Sequence, residues 1–237
     1  MLVGPPLGAV AASEVRLGDR VWASPLAASV WLIRSVSSLD GFGDVESNAL
    51  LVSGAAASVL IDTPATDAQT EPVLAWAETT LRRPVHEVIV THWHVDRAGG
   101  LGAARARGIA LHGFSKTRTL AREAGRIVPE HEIRPEEYLV LSGISLEIWY
   151  PGHGHTEDNI VVWLPEHRVL DGGCFVKAIA AMGLGNVAEI DPVQWAKGIA
   201  ALRKRYPRAS IVVPGHGATG GKELLAHTAS LFAAGGK

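Results

Sequence analysis

Residues 91–97 read Thr-His-Trp-His-Val-Asp-Arg. His92, His94 and Asp96 stand two apart, directly after the apolar run Val88-Ile89-Val90. Imidazole and carboxylate are zinc donors, and the end of a strand is where a rigid sheet can aim them. Three further segments carry donors in a similar setting: Tyr150-Pro-Gly-His153-Gly-His155-Thr-Glu-Asp158-Asn159, Asp171-Gly-Gly-Cys174-Phe-Val-Lys177 and Pro214-Gly-His216-Gly217. Glycines flank the donors in all three, letting the backbone turn sharply and approach closely. Each segment alone has an ordinary explanation, since a free cysteine is often a small core hydrophobe. Four together point to one shared metal centre.

The donors sort by chemistry. His92, His94 and His155 are three neutral imidazoles, which suit a zinc site with an open fourth position. Zinc held in that way lowers the pKa of its water to about 7. Asp96, Cys174 and His216 make a second, softer set, and zinc deprotonates a thiol outright. Two ions about 3.5–4 Å apart would share one hydroxide. Such a pocket keeps a net charge of about +1, or about +2 with Lys177, and favours a small anionic substrate. His86, His112, His131, His167 and His227 lack this context and are assigned no role.

The elements that must position these residues follow from patterning. Strands are expected at 20–23, 29–37, 47–53 and 57–62, with Gly41-Phe-Gly43 as a hairpin tip. A helix starts at Thr66, where Thr66-Asp-Ala-Gln69 is a capping box, and Pro72 is tolerable only near its first turn. It ends by Arg83-Pro84, and strand 86–90 then delivers the first donors. After a Gly-rich turn at 99–102 come a short helix, a strand near 109–112 and a helix from Ser115. Strands follow at 137–141, 144–149, 159–164 and 168–171. Asp191 caps a helix with Pro192 at its first position. A strand at 210–213 and a last helix from about Gly221 complete the chain. Strands then helix, twice over, predict an α/β fold: an αββα sandwich of two face-to-face mixed sheets with outer helices. Residues 16–237 read as one domain of two pseudo-repeat halves, and residues 1–15 as a flexible N-terminal segment.

The 237 residues are 47% hydrophobic and 19% charged, with a net charge of −2, which is globular composition. No basic block indicates a nucleic-acid groove, and no apolar stretch of about 18 residues indicates a membrane span. One cysteine excludes an intramolecular disulfide. Residues 1–13 hold no basic residue and are too short for a full secretory signal, though their Ala-rich end is similar to the tail of one. A trimmed, secreted, periplasmic chain with an added Met1 is the expectation, acting as a monomer.

His-x-His-x-Asp followed by Arg-x-Gly-Gly resembles the metallo-β-lactamase superfamily, as does Pro-Gly-x-Gly-His-Thr-x-Asp-Asn at 151–159. Gly172-Gly-Cys174-Phe-Val-Lys177, Gly183-Leu-Gly-Asn186 and Pro214-Gly-His216 narrow the resemblance to subclass B1. It runs over roughly residues 20–235. Hydrolases of the superfamily such as its glyoxalase II-like and RNase Z-like members usually carry a histidine directly after the aspartate and lack this cysteine. Here that position is Arg97, and Cys174 is present.

The resemblance implies two zinc ions, one on His92, His94 and His155, the other on Asp96, Cys174 and His216. It implies hydrolysis of the lactam amide of penicillins, cephalosporins and carbapenems through a metal-bound hydroxide, and so antibiotic resistance. Asp96 would also orient the hydroxide. Lys177 would pair with the substrate carboxylate, and Asn186 would polarise the lactam carbonyl. Residues 37–46 match a mobile hairpin over the substrate with Phe42 at its tip, and Trp93 would lie on the pocket floor. For Asn186 a turn role stands beside this one, and for Phe42 and Trp93 ordinary packing does. His153, where many relatives have proline, is expected beside the ligands or facing solvent.

Two rival readings stay open. One is a metallohydrolase of the same fold acting on thioesters or phosphodiesters, against which Lys177 and the missing histidine after Asp96 speak. The other is a non-catalytic zinc-binding domain, which would need an incomplete site.

Overall fold

Alternation along the strands explains the layering. In β4 (Gly43–Ser53), Leu50 and Val52 face one way, Ala49 and Leu51 the other, and all four are buried. The same holds in β11 (Val161–Leu164), where Val162 and Leu164 oppose Val161 and Trp163. Side chains alternate across a strand, so a strand apolar on both faces must lie between two layers. Three apolar clusters result. Leu50, Val52, Ile61 and Ile89 meet Ile148, Val162, Leu164 and Val213 between the sheets. Ala49, Leu51 and Val88 pack outward on Leu74 and Leu101, while Val161 and Trp163 pack outward on Trp195, Leu202 and Leu225. This is the expected αββα sandwich.

The computed structural model describes residues 14–233. The first sheet has eight strands in chain order: β1 (Val15–Gly18), β2 (Val21–Ala27), β3 (Val30–Leu39), β4, β5 (Ser58–Ile61), β6 (Val85–Val90), β7 (Ala110–Phe114) and β8 (His131–Ile133). It is antiparallel up to β5 and parallel from β5 to β8. The second has five, β9 (Glu136–Leu141), β10 (Ile144–Trp149), β11, β12 (Val169–Gly173) and β13 (Ile211–Pro214), each antiparallel to the next from β9 to β12, with β13 parallel to β12. The helices are α1 (Asp67–Thr79), α2 (Val95–Ala98), α3 (Leu101–Ala106), α4 (Ser115–Glu123), α5 (Pro192–Arg205) and α6 (Glu223–Ala233). Among the described residues, no helix is long and apolar enough to cross a membrane.

Several boundaries differ from expectation. Residues 1–13 of the expected tail lie outside the described residues, but Val15 already pairs with Ala23 in β1. The Gly99-Gly100 pair separates two short helices, and Gly102 lies inside α3. Thr66 caps α1 by accepting the Gln69 backbone N–H at 3.2 Å. The return half of the capping box is absent, because the Gln69 side-chain amide donates to the Val36 carbonyl at 2.9 Å and ties α1 to the hairpin instead. Pro72 lies in the second turn rather than the first. Asp191 caps α5 as expected, accepting from Val193 and Gln194 with Pro192 in the first turn.

Candidate metal centre

The donors converge at one end of the sandwich. His92, His94 and Asp96 follow β6, Cys174 follows β12 and His216 follows β13, while His155 comes from the loop between β10 and β11. Three of these strands carry their donors just past a carboxyl end in the parallel part of a sheet, where loops open onto a common crevice. Gly215 permits the convergence, since a Cβ there would stand 2.6 Å from the Cys174 sulfur. Gly154 does the same beside His155, because a Cβ would fall 2.2 Å from Phe175.

The rings of His92, His94 and His155 lie 4.8, 5.1 and 5.3 Å apart, centroid to centroid. His92 is fully buried and His155 nearly so. Both ring nitrogens of His92 and Nδ1 of His155 have no hydrogen-bond partner. Buried polar atoms without a partner are rare and need an explanation such as an ion. Burial, then the neighbouring cations and imidazoles, holds both rings well below the usual histidine range, so both are neutral donors.

Asp96, Cys174 and His216 form a second triangle. Sγ of Cys174 lies 3.2 Å from Nε2 of His216 and 3.6 Å from Oδ2 of Asp96, and those two are 3.4 Å apart. Ordinary zinc–ligand lengths in a tetrahedron put such atoms about 3.3–3.6 Å from one another. The Cys174 sulfur also falls in one donor cluster with His92 and His155, so the two sets share a cavity. Burial pushes the thiol up to about 12, so it needs a cation to ionise. Burial lowers His216 to about 4, leaving its imidazole neutral at pH 7. Its Nδ1 donates to the Glu46 carbonyl at 2.7 Å, which leaves Nε2 as the free donor.

Arg97 carries more than the absence of a histidine. It is wholly buried, donates through Nε to Asp96 Oδ2 at 3.0 Å and through Nη2 to the Gly215 carbonyl at 2.5 Å, and also bonds the Asn48 carbonyl. Asp62 stands 3.5 Å from it. Burial opposes ionisation of Asp96, but Arg97 and then His216 outweigh it and hold the carboxyl well below its ordinary value. Asn48 in turn donates to the Pro214 and Gly217 carbonyls. Sequence reasoning missed Arg97, Asn48 and Asp62 as supports. It also missed Glu189, whose carboxylate stands 3.2 Å from His94 Nε2, leaving Nδ1 of that ring free.

The cluster opens into a cleft of about 680 Å³ lined by His94, Asp96, His155, Lys177, Asn186 and His216, with Leu39, Phe42 and Val45 from the β3–β4 hairpin and Arg126 also on its wall. Phe42 is exposed near the tip. Lys177 is buried, its ammonium 5.2 Å over the Trp195 ring, and burial lowers its pKa. Asn186 lines the cleft and also makes a turn, its Oδ1 accepting from Ala188 at 3.1 Å.

Trp93 corrects the expectation. It does not line this cleft but a neighbouring hollow with Leu120, His153, Glu157 and Glu189. Its ring lies 4.9 Å from that of His94, and its Nε1 donates to the same Glu189 carboxylate that His94 Nε2 meets, at 3.3 Å. Its backbone N–H is tied to Asp158 at 2.9 Å. His153 is in no donor cluster, and its Nε2 bonds the Glu189 carbonyl at 2.5 Å. The unassigned histidines lie elsewhere, as with His112 on Glu87 and His227 on the Ala181 carbonyl.

Residues 42–216 match the family model described as the metallo-beta-lactamase superfamily. The chain belongs to that superfamily. The family's curated members include a metallo-beta-lactamase type 2 from Bacteroides fragilis, 38% identical over 94% of this chain and 90% of its own length. A metallo-beta-lactamase from Pontibacter korlensis superposes with a TM-score of 0.86 at 38% identity, covering 90% of this chain and 99% of that one. Another, FIM-1 from Pseudomonas aeruginosa, was solved in a mono-zinc form. It superposes with a TM-score of 0.85 at 33% identity, over 93% and 98% of the two chains. The subclass B1 resemblance drawn from the motifs agrees with these matches.

Proposed function

We propose that this protein is a di-zinc β-lactamase that opens the lactam ring of penicillins, cephalosporins and carbapenems and protects its bearer from them. The observation that carries the reading is the Asp96–Cys174–His216 triangle, with atoms 3.2–3.6 Å apart, set against three imidazoles, two of which, His92 and His155, have buried nitrogens without partners. The donor set fits zinc in number, type and spacing. His92, His94 and His155 would hold one ion, and Asp96, Cys174 and His216 the other. Zinc bound there would supply Lewis acidity and a water activated near neutral pH. The substrate class comes from relatives named for it.

The chain's own residues do the rest. Lys177 is a buried ammonium on the cleft wall and pairs with the carboxylate beside the lactam nitrogen. Asn186 has its Oδ1 engaged by Ala188, so its amide N–H groups are the ones left to meet the carbonyl oxygen as it gains negative charge. Asp96 takes its contacts through Oδ2, which leaves Oδ1 to orient the attacking water. Water adds to the carbonyl carbon, the C–N bond breaks, and the nitrogen takes a proton. The Phe42 hairpin covers the apolar part of the substrate. Action in the periplasm, as a monomer without nucleic acid, belongs to the same proposal. Each sheet runs antiparallel, crosses through a helix and adds a parallel strand, which supports one domain of two related halves over 16–237.

Side-by-side turnover of a chromogenic cephalosporin and an acyl thioester by zinc-loaded protein tests the reading. The cephalosporin is expected to be cleaved at least about a hundredfold faster in kcat/KM, a gap of about 2.7 kcal/mol in transition-state binding. Preference for the thioester would assign the site to another hydrolase of the fold.

A further inference from the structure

Lys177 is not the only cation on the cleft wall. Arg126 lines the same space. Gly125, at φ 64°, ends α4, and the next N–H, that of Arg126, bonds back to the Ala121 carbonyl at 2.8 Å. That turn throws the side chain of Arg126 across the Trp93 indole, with its guanidinium carbon 5.1 Å from the ring centroid. One guanidinium nitrogen reaches the Trp93 carbonyl at 3.5 Å. Stacking on an aromatic face orders a guanidinium while leaving its donors available. Among the described residues, Arg126 makes no ion pair, whereas Arg20, Arg34, Arg97, Arg107, Arg118 and Arg205 all do.

The two cations adjoin different members of the imidazole cluster. Lys177 does so through Trp195, whose ring is 6.1 Å from that of His155. Arg126 does so through Trp93, whose ring is 4.9 Å from that of His94. A substrate whose ring carboxylate meets Lys177 and whose carbonyl lies at the cluster would extend its acyl side chain toward Arg126.

We propose that Arg126 is a specificity-determining residue, a second anion-reading group that favours β-lactams carrying an additional carboxylate on the acyl side chain. This rests on the hydrolytic reading above. The cleft's own carboxylates there are Asp96, already held by Arg97, and Asp40 on the hairpin.

The test compares kcat/KM for benzylpenicillin and for its analogue with a carboxylate on the side-chain α carbon, at low and high salt. Arg126→Gln is expected to lower the ratio of dianionic to monoanionic substrate by about threefold to fivefold, as an exposed pair does, mainly through KM. Arg126→Glu should lower it further, Arg126→Lys should restore most of it, and salt should shrink the difference. An unaltered ratio in Arg126→Gln and Arg126→Glu would overturn the proposal. So would equal losses on both substrates that Asp40→Asn reproduces, which would make Arg126 a latch to the hairpin. Wild-type protein that cleaves neither penicillin would instead remove the hydrolytic reading itself.

Discussion

Cys174→Ser is expected to bind one zinc tightly instead of two and to lose at least about 10–100-fold in kcat/KM, the range set by loss of a mere outer partner of a ligand. The reason is electrostatic. Burial holds the Cys174 thiol up near 12, so the group ionises only when a cation sits beside it. A serine hydroxyl at that place ionises far less readily, and the second ion would be left with Asp96 and His216. Cobalt-loaded wild-type protein should show the near-ultraviolet thiolate-to-metal absorption, and the variant should lack it. Full occupancy of both positions in the variant, with kinetics like wild type, would remove Cys174 from the ligand set.

Arg97→Met is expected to cost about 3–5 kcal/mol of stability, read from urea midpoints, because it leaves a buried charge without its partner. Asp96 and Asp62 both face Arg97, and the guanidinium also fixes the Asn48 and Gly215 carbonyls. Those contacts join the β6, β4 and β13 ends of the site. Arg97→Lys keeps the charge but loses the planar fork, and should recover only part of the loss. Zinc affinity at the Asp96 set should fall in both variants. A change within about 0.5 kcal/mol for Arg97→Met, the size of an ordinary surface substitution, would show that the network carries no stability.

How far the sequence could be read depended on range. The long strands β3 and β4 and the caps at Thr66 and Asp191 announce themselves through local alternation and local side-chain chemistry. β1 and β8 carry no such signal, since Val15–Gly18 and His131–Ile133 are short and interrupted by charged residues. The six metal-donor candidates are legible because donor residue types recur past the ends of apolar runs, with flanking glycine in three of the four segments. Their supports are not. Asn48 reaches Pro214 and Gly217, and Glu189 reaches His94, across contacts that no local pattern encodes. Gln69 shows the same competition in miniature, leaving a local capping bond for the distant Val36 carbonyl.

On the proposed reading, lactam hydrolysis by this protein requires two zinc ions held by these six residues. The most direct test is the absorbance of a carbapenem and of a penicillin during incubation with protein of measured zinc content, before chelation, after it, and after zinc is restored. Ring opening of both substrates at two zinc ions per chain, abolished by the chelator and regained with zinc, is the predicted result. Intact substrates in the presence of fully loaded protein, or hydrolysis that persists in metal-free protein, would contradict it.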